Sequence, residues 1–396
     1  MAKHIKLPGI LLLFISLLGI NACSSNKLKH SISAPSKTQE HSSIKVIDLK
    51  HLQSLPEIIP KLAAHRTVFV GEVHTSYADH LNQLAVIKGL HSHWKQNTSI
   101  GLEMVQQPYQ AYLDDYIAGK ISEYEMLLGI QWYDRWVYDF RLYRPIFKYA
   151  RDNHIPLVAL NIPRELTRRI TQVGIKGLSE RQRKQLPAFI DRSNKNYIKR
   201  ISNVFGRHSK TMSKGLNKFL DAQLGWDEGM AYAAARYLKK HPQKRMLILA
   251  GGGHVIGGEG IPGRLDRMIQ SKSAIVLNNV SGALKSSLGD YLLDRPAARL
   301  PQIGVLGISM KNTGSGVQIT RVLKHGVARK AGLKKADVIL KLADKNIKNT
   351  LDVRLFAEKT RPGDLVTIVI KRNNKIFSKK IKLGGRPKMH MRMQRT

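Results

Sequence analysis

The chain has 396 residues, 42% of them hydrophobic and 24% charged, and its 66 Lys and Arg against 28 Asp and Glu give a formal net charge of +38. One cysteine excludes an intrachain disulfide, so the domains must be held by their cores. A charge of this size argues for association with anionic surfaces or ligands and says nothing about fold.

At the N-terminus Lys3 and Lys6 precede an apolar run over residues 10–20, too short to span a bilayer and of the length of a signal-peptide core. Asn21-Ala22-Cys23 follows, with a small residue just before the only cysteine. This resembles a bacterial lipoprotein signal, which implies a signal peptide at 1–22 and lipidation of Cys23, several acyl chains giving durable anchoring. Ser24 is similar to the residue that follows the cysteine in lipoproteins sent to the outer membrane of Gram-negative cells, so the resemblance implies a lipid anchor on the periplasmic side. An exported, anchored chain is not expected to have a nucleic-acid partner. Residues 23–44, rich in Ser, Lys and Thr, read as a flexible tether. Roughly 350 residues remain, enough for about two domains.

From 45 to 285 strand patterns alternate with helical ones, which predicts an α/β fold with a mostly parallel sheet flanked by helices. Candidate strands lie at 67–70, 99–104, 155–160, 246–250 and 274–277, and candidate helices at 78–90, 109–118, 140–153, 163–172 and 226–240. Their continuous Val, Ile and Leu content suits strands covered on both faces. Residues 176–222 read as further helices forming a cap beside the sheet. Between 164 and 218, fifteen Lys or Arg meet only Glu165, Glu180 and Asp191. That stretch is either a face for lipid or other phosphates or a solvated helical surface.

The first strand runs into Gly71-Glu72-Val73-His74, the second into Glu103, the third into Asn161 and the fourth into Gly252-Gly253-His254. In a parallel sheet these C-terminal ends share one edge, where open α/β proteins bind ligands. His80 falls early on the following helix and could turn toward the same place. Imidazoles and carboxylates so gathered could hold a divalent transition metal through Glu72, His74, Glu103 and His254, with Glu72 or Glu103 alternatively a general base. They could equally hydrogen-bond one another and cap buried strand ends.

Gly71-Glu72-Val73-His74, His80 and Gln83, Leu102-Glu103-Met104 with Gln110, Asn161-Ile162-Pro163-Arg164, Gln223 with Trp226-Asp227-Glu228, and Ala250-Gly251-Gly252-Gly253-His254-Val255 occur in that order. Over about 45–285 the chain thereby resembles the ChaN-type haem-binding lipoproteins, a branch of the superfamily that includes the Tiki proteases and erythromycin-esterase-like proteins. The resemblance implies haem capture for iron uptake, with haem between two subunits of a homodimer, a tyrosine on iron and a histidine near the propionates. It makes His74, His80 and His254 cofactor-binding candidates. The region from 131 to 150 is the most aromatic in the chain, and Tyr143, beside Arg144-Pro145, is taken as the axial ligand, with Arg135, Arg141 and Arg144 for the propionates. Those aromatics could instead simply pack helices onto the sheet. Resemblance to the Tiki-like members leaves a rival reading, a metal-dependent peptidase or esterase using Mn²⁺ or Zn²⁺.

Residues 286–300 read as a linker. Val305-Leu306-Gly307-Ile308, the alternating run from Gly316 to Val322, Ala331-Gly332-Leu333, Ala336-Asp337-Val338-Ile339 and Pro362-Gly363-Asp364 follow. Over 301–384 these resemble a bacterial PDZ domain, a small β-rich fold. Leu306, Gly307 and Ile308 could form a loop that holds a peptide carboxylate, with the adjoining strand edge pairing with the peptide of an envelope protein. Residues 385–396 read as a basic tail.

Overall fold

A computed structural model of the chain describes residues 47–208, 215–278, 280, 284–314 and 316–385. The expected signal peptide, Cys23, the tether and the tail beyond Gly385 lie outside the described residues. The chain divides into two compact units, Met1–Ala298 and Arg299–Thr396.

In the first unit the strands are β1 (Thr67–Glu72), β2 (Thr98–Gln106), β3 (Leu157–Asn161), β4 (Arg245–Gly251), β5 (Ala274–Leu277) and β6 (Tyr291–Leu292). They form one parallel sheet in the order β3-β2-β4-β1-β5-β6. All five expected strands are present. β6 is a correction: it lies in the stretch read as a linker, yet Tyr291 pairs with Val276 and Leu292 with Leu277. Two residues are too few to carry a strand's alternation.

The sheet is buried on both faces, as β1 and β2 are throughout. One face carries Phe69, Leu160 and Ile248 against Met230, Ala234 and Leu238 of the helix Leu216–Lys240 and Leu265 of the helix Ile261–Ile269. Each large apolar side chain so covered contributes about 1.5–3 kcal/mol. The long helix begins ten residues before the expected Trp226. It reaches the sheet closely because a Cβ on Gly229 would stand 2.3 Å from Ile162 Cγ2. The expected helix over 140–153 is broken into a tight turn, Phe140–Leu142, and a helix Arg144–Asp152 with proline in its first turn, where a missing N–H costs nothing. The stretch before β4 is helical as expected: Leu186, Tyr197 and Ile201 pack with Ile162, Leu166, Ile170 and Leu220 in a second core.

The second unit holds β7 (Ile308–Thr313), β8 (Gly316–Val322), β9 (Val338–Leu342), β10 (Lys345–Asn346), β11 (Leu365–Arg372) and β12 (Lys375–Lys382). These pair antiparallel in the order β12-β11-β9-β8-β7, with β10 on β9. Val317, Ile319, Ile339, Ile368, Ile370 and Ile381 make its core. β11 alternates buried Val366, Ile368 and Ile370 with less covered residues between, the signature of a sheet with one dry face.

Candidate functional site

β1 and β4 are neighbours, with Glu72 paired in register to Gly251, so the loops after them start side by side. Glu72, its side chain wholly buried, accepts a hydrogen bond from His74 Nδ1 at 2.7 Å on Oε1 and from the Tyr143 hydroxyl at 2.9 Å on the same atom. Its Oε2 lies 2.8 Å from His80 Nδ1 without hydrogen-bond alignment, and that nitrogen also faces Gln83 Oε1 at 3.0 Å. Burial works against the charge of Glu72, but His80 and the bond from His74 outweigh it and hold the carboxyl well below its usual range.

His254 sits in the short helix Gly252–Val255 after β4. Its Nδ1 is bound at 2.5 Å to Asp227, a buried residue of the long helix whose other oxygen takes the Tyr197 hydroxyl at 2.7 Å. Tyr197 comes from the helix Lys195–His208 of the cap. Burial opposes protonation of His254, yet Asp227 and then Glu103 push its pKa up to about 9. For His74, burial is likewise overcome by Glu72 and Glu103, and its pKa is raised.

Glu103 ties the two halves together. Its Oε2 accepts from Gly251 N at 2.6 Å, and Oε1 lies 3.6 Å from His254 Nε2. His74 approaches the same point: a Cβ on Gly251 would stand 2.9 Å from His74 Cε1 and 3.2 Å from its Nε2, so only glycine fits there. Each imidazole is thus anchored through Nδ1 on a buried carboxylate, and His74 and His254 keep 18% and 17% of their side chains exposed. Such anchoring fixes the tautomer and the ring direction.

The rim is aromatic. Trp136 packs edge-on to His74 with centroids 4.7 Å apart, and Tyr138 lies on the same ring at 5.0 Å. Between them Val137 adopts φ +66°, a left-handed conformation that a β-branched side chain rarely tolerates, and is 53% exposed. Burial, Glu103 and Glu72 push the Tyr138 phenol up to about 12. Arg200 borders the opposite side, donating to Gly253 O at 2.7 Å.

Glu72, His74, Glu103 and His254 therefore do converge, but two expectations need correction. Tyr143 is fully buried, with its hydroxyl on Glu72 and its ring 4.1 Å from that of His80, so it supports the site from beneath and offers no face to a porphyrin. His80 is equally covered, between Glu72, Gln83 and the His74 carbonyl, and reaches no open face. Among the described residues no three His, Cys, Asp or Glu side chains are grouped to hold a metal ion; the Nδ1 atoms of His74 and His254 are taken by Glu72 and Asp227, and Glu103 Oε2 by the Gly251 N–H. Arg135, Arg141 and Arg144 are engaged with Glu165, Asp139 and Glu123. Tyr197 is absent from the reading of the sequence, which has Asp227 only within a motif and Tyr138 only among the aromatics of 131–150. Asp227 carried a signal: it is an acid on the buried side of a helix, flanked at close spacing by Gly225 and Gly229.

A cavity of about 420 Å³ lies at the opposite edge of the sheet, lined by Arg66, Lys244, Arg245 and Lys272 among others. It is not the site, since its cations cap carbonyls: Arg66 donates to Leu238 O, Arg245 to Ala63 O and Lys244 to Gln96 O.

In the second unit the loop before β7 is fixed by Val305 N on Gly384 O, Ala328 N on Leu306 O and Leu323 N on Gly307 O. Gly307 takes φ +73°, and the N–H groups of Leu306 and Gly307 donate to no backbone carbonyl among the described residues. Ile308 opens β7, an outer strand whose free edge runs beside the helix Thr350–Glu358.

The family model described as haem-binding uptake, Tiki superfamily, ChaN matches residues 58–265, and a PDZ domain model matches residues 304–383. The solved structure of ChaN of Campylobacter jejuni, described as showing cofacial heme binding, is 20% identical with a TM-score of 0.50 and covers 61% of this chain and 91% of that one, a likeness in fold. Protein RETICULATA-RELATED 5 of Arabidopsis thaliana is 26% identical over 244 residues, 55% of this chain and 31% of its own length. The serine protease Do-like HtrA of Bacillus subtilis is 39% identical over 83 residues, 21% of this chain and 18% of its own. The chain thus spans about a third or less of these two curated relatives.

Proposed function

Because the chain belongs to the haem-binding uptake family of the Tiki superfamily that includes ChaN, we propose that its first domain binds haem where His74, Tyr138 and His254 meet, as cargo for iron acquisition. The observation that carries this reading is the pair of carboxylate-anchored, part-exposed imidazoles beside an aromatic and apolar rim. A porphyrin needs an apolar face, an axial donor and cations for its propionates. Val137 and Tyr138 supply the face, the Tyr138 phenol or the His74 imidazole the donor, and the cap around Arg200 the charge. Tyr138 thereby takes the role first given to Tyr143. Cofacial binding, the term used of the Campylobacter protein, would bring two copies of the chain together, and a haem-dependent dimer is the expected species on gel filtration.

The test is a haemin titration of the purified protein followed by absorbance. A saturable Soret band is expected, changed in position by Tyr138→Phe and weakened by His74→Ala and His254→Ala. A band identical in all three variants would place haem elsewhere, and no band would sink the reading.

Lipidation of Cys23 would hold the chain on the periplasmic side of the outer membrane, and labelled palmitate should enter the native chain but not Cys23→Ala. The second domain would recruit an envelope partner by its C-terminus, at the loop of Leu306, Gly307 and Ile308 and along the edge of β7. Fluorescent peptides ending in a free carboxylate should bind and their amides should not. Equal binding of both would defeat carboxylate capture.

A further inference from the structure

The outer face of the second unit's sheet has a composition that peptide capture does not require. Pairing places Lys382 opposite Leu365, Lys380 opposite Thr367, Ser378 opposite Val369 and Ile376 opposite Lys371, while β9 sets Lys341 beside Val369 and Val338 beside Lys371. These positions alternate with the buried Val366, Ile368, Ile370 and Ile381, so they share the face turned away from the core. β9, β11 and β12 contain no Asp or Glu. Among the described residues Lys341, Lys371, Lys380 and Lys382 make no salt bridge, unlike Arg372 at the strand end, which is bound to Asp337. Leu365 and Ile376 stand 66% and 67% exposed near opposite ends of the hairpin, roughly 20 Å apart at about 3.4 Å per residue.

We propose that this face docks onto an anionic lipid bilayer. Unpaired lysines spread over one face of a sheet without an intervening carboxylate match a surface of fixed negative charge. A soluble acidic ligand would be met by a concave cluster, and a protein partner would leave some carboxylate on the face for register. Exposed aliphatic groups at both ends can enter the headgroup boundary while the ammonium groups stay with the phosphates.

The experiment uses the chain from Ser24 onward, which lacks both the apolar run over 10–20 and the one thiol able to take an acyl anchor. Co-sedimentation is compared on vesicles of phosphatidylcholine alone and of phosphatidylcholine mixed with phosphatidylglycerol. The parent should prefer the anionic vesicles, and Lys341→Gln, Lys371→Gln, Lys380→Gln and Lys382→Gln together should weaken that binding roughly 10²–10³-fold, taking each lysine at its usual weight near a charged surface. A matched variant with Lys324, Lys330, Lys335 and Lys359 changed to Gln has the same net charge and should bind as the parent does. Seven of the eight positions are exposed and Lys371 is half-buried, and circular dichroism checks that both variants fold. Equal loss in both variants would reduce the effect to overall charge and overturn the proposal. So would a parent indifferent to phosphatidylglycerol, or one displaced from vesicles by millimolar glycerol phosphate.

Discussion

Replacing Asp227 with Asn removes a buried charge while keeping the shape of its contacts with His254 and Tyr197. In the native protein His254 is raised from 6.5 to about 9, and its side chain is only 17% exposed, so solvent screening is slight. A group whose folded pKa is raised adds stability that is complete below its unfolded value and disappears as pH climbs through the folded one. Between pH 6 and 9.5 a shift of this size is worth about 3 kcal/mol, at about 1.36 kcal/mol per unit. The raised pKa values of His74 and His80 add loss of the same sign in the same direction, common to both proteins. The assay is urea unfolding at the two pH values followed by tryptophan fluorescence. All four tryptophans, at 94, 132, 136 and 226, lie in the first unit, so the signal is blind to the second. The native chain should lose up to about 3 kcal/mol more than Asp227→Asn does across that interval, since the share owed to Glu103 stays in the variant, and the variant should be the less stable of the two at pH 6. Equal losses in both proteins would refute the ion pair as the source of the shift.

Gly251→Ala should destabilise the first unit by about 1–3 kcal/mol and weaken haemin uptake, because the new methyl meets the His74 ring; unchanged chemical denaturation would contradict that contact. Tyr143→Phe should cost about 1–3 kcal/mol through the lost bond to buried Glu72 yet leave the Soret position where it is, whereas Tyr138→Phe should move the band with little effect on stability. If a tyrosinate ligates the iron, the proton of a phenol held near 12 must be displaced, so the tyrosinate band should grow from pH 7 to 10 in the native protein and be missing from Tyr138→Phe. Gly307→Ala should abolish peptide binding by the second unit, since alanine is strained at φ +73° and its Cβ would stand 3.0 Å from Gly326 Cα; calorimetry with a free-carboxylate peptide decides it.

What could be read from the chain and what could not divide along a physical line. Strands β1 to β5 are runs of buried apolar residues, and the rule that parallel strands share their C-terminal edge was enough to bring Glu72, Glu103 and His254 together. β6 has no such run, and Asp227 and Tyr197 reach the site through the docking of a helix and a cap, which local pattern does not encode. Tyr138 and Tyr143 are equivalent by composition. The backbone reversal at Val137 sets Tyr138 at the rim, while Tyr143, at the start of the next helix, is left beneath it. Residue types likewise do not say which atom of each imidazole faces inward, because that depends on partners that only the fold supplies.

The order of strands also bears on how the first unit comes to exist. β1 is made first, yet its neighbours are β4 and β5, about 180 residues later in the chain. At about 5–20 residues per second of synthesis, roughly 10–40 s pass in which this apolar segment has a partner on neither edge. Pairing of such long reach is slow to form and exposed to aggregation meanwhile. A nascent or exported chain of this kind therefore depends on being held by a chaperone until Arg245–Gly251 emerges, and a product cut short before that point should be recovered as aggregate or in complex with a holdase, with no half-built site to occupy.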